Sequence, residues 1–393
     1  MSQGTAGTED VRSCIIKIDG KTHVESTAGG ADPTNFGIAA YLESVQVDKR
    51  LDAPDMFSIE LDIKSDEKIQ YVDDLQEGKS VEILLGPVGK EKTVFLGEIH
   101  YIEPCFRHEG ASTVVIGGYD HSHRLTRGTT SRTWGDGVNA QDLVPTAVRD
   151  VISKAGDVGG TRDGLSASTV DTPRAQSSYI PQLNVSDYHF MKWLGAEADR
   201  SVEADTVADD TQIHFRPPNL TKQAVKTLVR DAPRGDDECL VREARFNLST
   251  VRQVARVEVR GWDPKRKKAI VGVATAPGYV FDGKEGWKAA GLGLYGSESA
   301  GKVLTITDRP VDSKEEADAL AKAMFTQLSM DFLTGEIDFT GDPTLTAGDI
   351  VAVRGFGKRF DGKYLVTACA HEMVPKTIGY VTRLKIARNA AGE

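Results

Sequence analysis

Apolar and polar positions alternate with period two in many short segments of the chain, and one such pattern occurs twice. Leu75-x-x-Gly78-x-x-Val81-x-Ile83, then Phe95-x-Gly97-x-Ile99, recurs as Leu345-x-x-Gly348-x-x-Val351-x-Val353, then Phe360-x-Gly362-x-Tyr364. In each copy a glycine-marked turn enters an alternating strand, a polar loop reverses the chain, and a second strand opens at an aromatic-x-Gly step. The loop is longer in the first copy (residues 86–92) than in the second (residues 355–359), which is where a hairpin tolerates a change of length. The pattern predicts two copies of one β unit.

Around the first copy, residues 11–17, 42–48, 57–63, 80–85, 94–103 and 113–119 read as short strands, with a hairpin turn at Asp19-Gly20-Lys21. They predict one antiparallel barrel or sandwich ending near Gly128. From Thr129 the character changes. A helix is expected after Asn139, running through Val148 and Ile152 to Gly156, and a Gly/Ser/Thr-rich connection follows over residues 156–178. Ser186 then caps a helix with Phe190, Trp193, Leu194 and Ala198 on one face, and residues 201–217 return to strand patterning.

Two further strands, residues 254–261 and 268–273, are joined by the turn Trp262-Asp263-Pro264-Lys265. Residues 274–299 are weakly patterned and read as an excursion. Ser313 followed by Glu316 is a capping signature for a helix lined by Ala317, Leu320, Ala321 and Phe325, directly before the second copy of the repeat. The fold class is therefore α+β, mainly β. The domain reading is a disordered N-terminus over 1–10, a first β domain over 11–128 and a helix-containing insert over 129–210. A second β domain follows over 211–273 and 330–390, interrupted by an insert over 274–329 that ends in a helix.

At 393 residues the chain suits roughly two to four domains. Its 39% hydrophobic and 27% charged residues fit a soluble globular protein. No apolar run approaches the roughly 20 residues that span a bilayer. The start, MSQGTAGTEDVRS, lacks a basic stretch followed by an apolar one, so no signal peptide is expected. The expected product is cytoplasmic, with no membrane insertion of this chain. Cys14, Cys105, Cys239 and Cys369 form no CxxC pair and have mostly apolar neighbours, as expected of buried reduced thiols. The net charge of −10 argues against coating nucleic acid but is compatible with a pore through which nucleic acid passes.

No motif supports catalysis, a cofactor or a metal. Asp120-His121-Ser122-His123 offers two histidines and a carboxylate, but on a strand its histidines would point to opposite faces, and a strand exit is the better reading. His371-Glu372 lacks the second histidine four residues on that a zinc protease needs; Pro375 stands there. Gly86-Pro87-Val88-Gly89-Lys90 lacks P-loop spacing, and Lys265-Arg266-Lys267-Lys268 reads as a solvated hairpin tip.

Four stretches in register resemble the late control protein D family, the phage baseplate hubs and the hub part of the valine-glycine repeat spike proteins of type VI secretion. They are residues 118–128 (GYDHSHRLTRG), 184–194 (NVSDYHFMKWL), 257–265 (VEVRGWDPK) and 345–351 (LTAGDIV), and the resemblance spans residues 11–388. It implies a homotrimeric baseplate hub with two homologous tube-like antiparallel β-barrels per chain, so that three chains present a pseudo-six-fold face to a hexameric tail tube. The chain ends after the second barrel, so the implied spike is a separate polypeptide. Other baseplate proteins are implied partners, with DNA or protein cargo passing through an acidic lumen. Assembly would be into a phage tail or tail-like particle.

The residues that carry over are structural. Gly78, Gly97, Gly348 and Gly362 should hold turns or close backbone approaches. Trp262 should anchor its turn into the barrel or form a subunit contact. The competing functions are a tail-associated cell-wall hydrolase and a glycan-binding adhesin. An enzyme would lose muralytic activity with one or two carboxylates; an adhesin would bind glycans through exposed aromatics, which make up only 7% of the chain.

Overall fold

A computed structural model describes residues 12–28, 40–51, 53–63, 75–110, 112–135, 137–139, 142–155, 165–171, 179–198, 201–207, 210–216, 220–231, 235, 237–288, 302–375 and 377–392. The expected disordered stretch 1–10 lies outside these residues, as do 156–164 and 172–178 of the expected connection and 289–299 of the expected excursion. The chain divides into two compact units. The first comprises Met1–His121, Asp338–Ala347 and Ala368–Leu384; the second comprises Ser122–Ile337, Gly348–Thr367 and Lys385–Glu393. The fold is α+β and mainly β, with a closed six-stranded barrel among its strands.

In the first unit β1 (Arg12–Ile18), β2 (Lys21–Ala28), β3 (Ala40–Arg50), β4 (Ala53–Ile63), β5 (Ser80–Pro87), β6 (Lys92–Cys105) and β7 (Ser112–Tyr119) lie in the order β2-β1-β5-β6-β7-β4-β3. All these pairings are antiparallel. Asp19 (φ 48°) and Gly20 (φ 73°) make the two-residue turn between β1 and β2, where both positions need a left-handed backbone. One face of the sheet buries Ile16, Val45, Phe57, Ile59, Ile83, Phe95 and Ile116 in a single core. Each such side chain contributes on the order of 1.5–3 kcal/mol. A slip of one residue would turn that whole set to solvent, which is what holds the register.

The remaining strands form three smaller assemblies. In the first, β8 (Thr130–Trp134) pairs with β10 (Ile180–Val185), while β11 (Ser201–Val207), β12 (Asp210–Arg216) and β9 (Leu165–Val170) form a second small sheet. Helices α1 (Leu143–Ala155) and α2 (Asp187–Ala198) close its core with Val148, Val151, Phe190, Leu194, Ile213 and Phe215. The expected boundary at residue 210 is corrected. Strand β12 pairs with β11 and β9, so the insert runs on to Arg216. Its Ile213 and Phe215 fill the insert's core and leave nothing for a barrel.

In the second assembly β15 (Arg256–Asp263) lies between β16 (Lys268–Ala274) and β18 (Val303–Ile306). Residues 256–273, expected in the second barrel, are therefore a sheet of their own. The reason is the helix α3 (Lys314–Ser329), whose Ala317, Leu320, Ala321 and Phe325 bury Val257, Val259, Ile270 and Ala274. A β-carbon on Gly272 would stand 2.2 Å from the Ala317 carbonyl carbon, so glycine sets how closely the helix approaches the sheet.

The third assembly is a ring. Strands β13 (Lys226–Val229), β14 (Glu238–Leu248), β19 (Leu333–Thr340), β20 (Ile350–Arg354), β21 (Gly362–Val374) and β22 (Gly379–Arg388) lie in the order β21-β20-β13-β14-β19-β22, and β22 returns to β21. Strand β13 runs parallel to both neighbours. The short strands β17 (Lys284–Glu285) and β23 (Ala390–Ala391) pair beside it.

Candidate assembly surfaces

The two repeat copies build the same local device. The Gly78 amide donates to the Ile99 carbonyl at 2.8 Å, and the Ile99 amide returns a bond to Lys79 at 3.0 Å. The Gly348 amide donates to the Val366 carbonyl at 2.9 Å, and the Val366 amide returns one to Asp349 at 2.8 Å. Gly78 (φ 83°) and Gly348 (φ 88°) both take the left-handed turn this exchange requires.

The second strands of the two copies are offset. Val81 faces Gly97 in the first copy, whereas Val351 faces Tyr364 in the second. Val366, and not Tyr364, therefore occupies the place of Ile99, so the aromatic-x-Gly steps match in sequence but stand two residues apart in register. The shorter second loop explains the shift. Gly97 and Gly362 consequently do different things. Gly97 lies in mid-strand, whereas Gly362 (φ 135°) opens β21 beneath Arg388, where a β-carbon would come 2.1 Å from Nη1.

Arg388 is a buried node. Its Nη1 donates to the Asp361 carbonyl at 2.7 Å, its Nη2 donates to the Asp282 carbonyl, and its guanidinium lies over the Tyr364 ring at 5.4 Å. Burial pushes the Tyr364 hydroxyl up to about 12. Beside it Asn389 Oδ1 accepts from the Phe281 amide at 3.0 Å and Nδ2 donates to the Tyr279 carbonyl at 2.7 Å. This cluster ties the last strand to residues 279–283 and performs structural work.

The sequences that invited chemistry find other roles. Residues His121–Thr126 form a 3-10 turn at the exit of β7, which ends at Tyr119, and His121 Nε2 stands 3.7 Å from Glu98 Oε1. Among the described residues no group of three or more His, Cys, Asp or Glu side chains could hold a metal. His371 is fully buried. Its Nε2 lies 3.1 Å from the Leu345 carbonyl, which only accepts, so the proton sits on Nε2 and Nδ1 accepts from Tyr380 at 2.8 Å. Burial first, and then the Lys49 ammonium, lower its pKa to about 3. The cysteines divide: Cys14 and Cys369 are buried, Cys239 is half-buried, and Cys105 is exposed at the overhanging end of β6.

Trp262 loses one of its two expected roles. It does not anchor a turn into the barrel: 60% of its surface is exposed, on the side of the β15 sheet opposite α3. Cross-strand pairing places Trp262 opposite Ala269, Arg260 opposite Val271, Glu258 opposite Val273 and Arg256 opposite Val303, all on one face. Val271, Val273 and Val303 remain open there at 39%, 43% and 37%. Glu258 is held between two guanidiniums, 2.7 Å from Arg260 Nη2 and 2.7 Å from Arg256 Nη2, and these lower its pKa. No motif marks these valines. The signal of Val271 and Val273 is a strand, KAIVGVA, that is apolar on both faces.

A family model described as the Alg8 N-terminal domain matches residues 42–374. The chain belongs to the Alg8 N-terminal domain family. No curated protein sequence matches it. Among solved structures, the 43 kDa tail protein of prophage MuSo2 from Shewanella oneidensis is similar at a TM-score of 0.66 and 15% identity, over 96% of this chain and 98% of that one. A tail protein from Neisseria meningitidis MC58 follows at a TM-score of 0.63 and 12% identity, over 96% and 97% of the two chains. The E. coli c3393 protein, described as a type VI secretion component similar to the T4 tail proteins gp27 and gp5, gives 0.55 and 12%, over 94% of this chain and 76% of that one. This member of the Alg8 N-terminal domain family thus has the fold of phage tail and baseplate-hub proteins. Among the described residues no helix is long and apolar enough to cross a membrane.

Proposed function

We propose that the chain is a structural hub of a contractile tail or injection-system baseplate. Three copies form a ring whose pseudo-six-fold face joins the hexameric tail tube to a separate trimeric spike, beside other baseplate proteins. The end-to-end likeness to two tail proteins carries this reading, because it takes in both copies of the repeated hairpin. Two similar hairpin units per chain reconcile a three-fold spike with a six-fold tube.

The outer face of the first unit's sheet bears Glu60 and Glu103, both opposite Val115, and Asp48, bonded to Gln46, while Glu372 opposite Gln46 is paired with Arg383 at 3.9 Å. Such a wall, if it lines the ring, repels polyanions and eases the passage of DNA or acidic cargo. The chain is made in the cytoplasm of the producing cell and enters the tail particle there.

The test is light scattering at several concentrations, with electron microscopy of particles from cells lacking the protein. A mass near three times 42.5 kDa and loss of assembled tubes are expected. Normal tails without the protein would overturn the reading. So would cell-wall digestion or saturable glycan binding by the isolated chain.

A further inference from the structure

Among the described residues the sheet of β15, β16 and β18 has a helix on one side only, yet its strands are dressed for two-sided burial. Val257, Val259, Ile270 and Ala274 face α3, while Trp262, Val271, Val273 and Val303 face away from it and stay open. Strand β16 is also an edge strand. An apolar edge of this kind invites association, and soluble proteins blunt it with charge or cover it. Here the charge lies beside the apolar strip. Residues 256–268 contain six Lys or Arg and two Asp or Glu, in a chain whose net charge is −10. A central tryptophan flanked by arginines is the composition of an interface hot spot.

The sign of the charge restricts how copies can meet. A two-fold contact would lay this basic strip against itself, at a cost in like-charge repulsion. A contact with a different surface of the next copy meets the acidic remainder of the chain, and such a head-to-tail contact closes into a ring when its rotation allows. We infer that the Trp262 face of each copy docks on an acidic surface of the next copy and is the contact that closes the ring. The occupant is a second copy of this chain. The inference rests on the hub reading and adds the surface that makes the ring.

The test compares the native chain with two variants, Trp262→Ala with Val271→Ser, and charge reversal of Lys265, Arg266, Lys267 and Lys268 to Glu. All the changed side chains are exposed, so circular dichroism and thermal midpoints should match the native chain's. The native chain should run as a ring that loosens as salt rises, because exposed charge pairs are screened. Each variant should need at least about tenfold more protein to assemble, a loss expected for one hot-spot residue. Unchanged assembly by both folded variants would overturn this surface and leave the trimeric hub standing. A native chain that is monomeric at every concentration would overturn the ring itself, and a dimer would overturn the head-to-tail contact.

Discussion

Gly97 lies against the main-chain carbonyl of Tyr119: a β-carbon on Gly97 would stand 2.3 Å from that oxygen. No neighbour lies within 4 Å of a β-carbon built on Gly78, whose constraint is its φ of 83° alone. Gly78→Ala should therefore cost about 1 kcal/mol, the strain of a left-handed alanine. Gly97→Ala should cost more, about 1–3 kcal/mol, because β6 and β7 must separate. Gly348→Ala should resemble Gly78→Ala, and Gly362→Ala should resemble Gly97→Ala, since Arg388 stands in the way. Urea unfolding of the four variants checks this order; equal losses at all four would contradict it.

His371 should make stability depend on pH in the acid range. Its pKa is about 3 in the folded protein, against 6.5 for an ordinary histidine, so below pH 6.5 the unfolded chain binds the extra proton. Stability is then intact above pH 6.5 and falls by up to about 1.4 kcal/mol per pH unit towards pH 3. In His371→Gln this contribution is gone. The stability difference between the native chain and the variant, measured by denaturation at pH 7, 6, 5 and 4, should shrink as the pH falls. A difference that stays constant would show that His371 titrates normally.

The start of α3 is doubly capped. Ser313 Oγ accepts from the Glu316 amide at 3.1 Å, and Glu316 Oε2 accepts from the Asp312 amide at 2.7 Å. Ser313→Ala should cost about 1 kcal/mol and Ser313→Gly only a few tenths. Unchanged denaturant slopes would show that the loss is local. A Ser313→Gly as costly as Ser313→Ala would contradict capping by the hydroxyl.

Thiol labelling should resolve the cysteines into three rates. Exposed Cys105 reacts first and half-buried Cys239 more slowly. Cys14, whose thiol burial pushes up, and Cys369 react only when the protein unfolds. Rapid labelling of all four would mean that the two cores open readily.

The strands over residues 42–48, 57–63, 80–85, 94–103 and 113–119 are legible because each buries one face, and period-two alternation records that directly. The helix after Ser313 is legible because its cap and its apolar stripe are both local. The partners of residues 210–216 and 256–274 are not legible. Alternation marks a strand without saying which sheet receives it, and that choice lies with helices and strands distant in sequence. The two-residue offset between the hairpins is hidden for a similar reason: loop length sets register, and motif spacing does not report it.

By itself the sequence determined the types of the elements it marked, the duplicated hairpin and the turns that need glycine, all of them consequences of local backbone preference and one-sided burial, but it left β13, β14 and β19 unmarked. Only the tertiary structure decided that Trp262 faces solvent and that His371 is neutral and buried, along with which strands close the ring. Each of those depends on what packs against a residue from far along the chain, and local sequence does not contain that information.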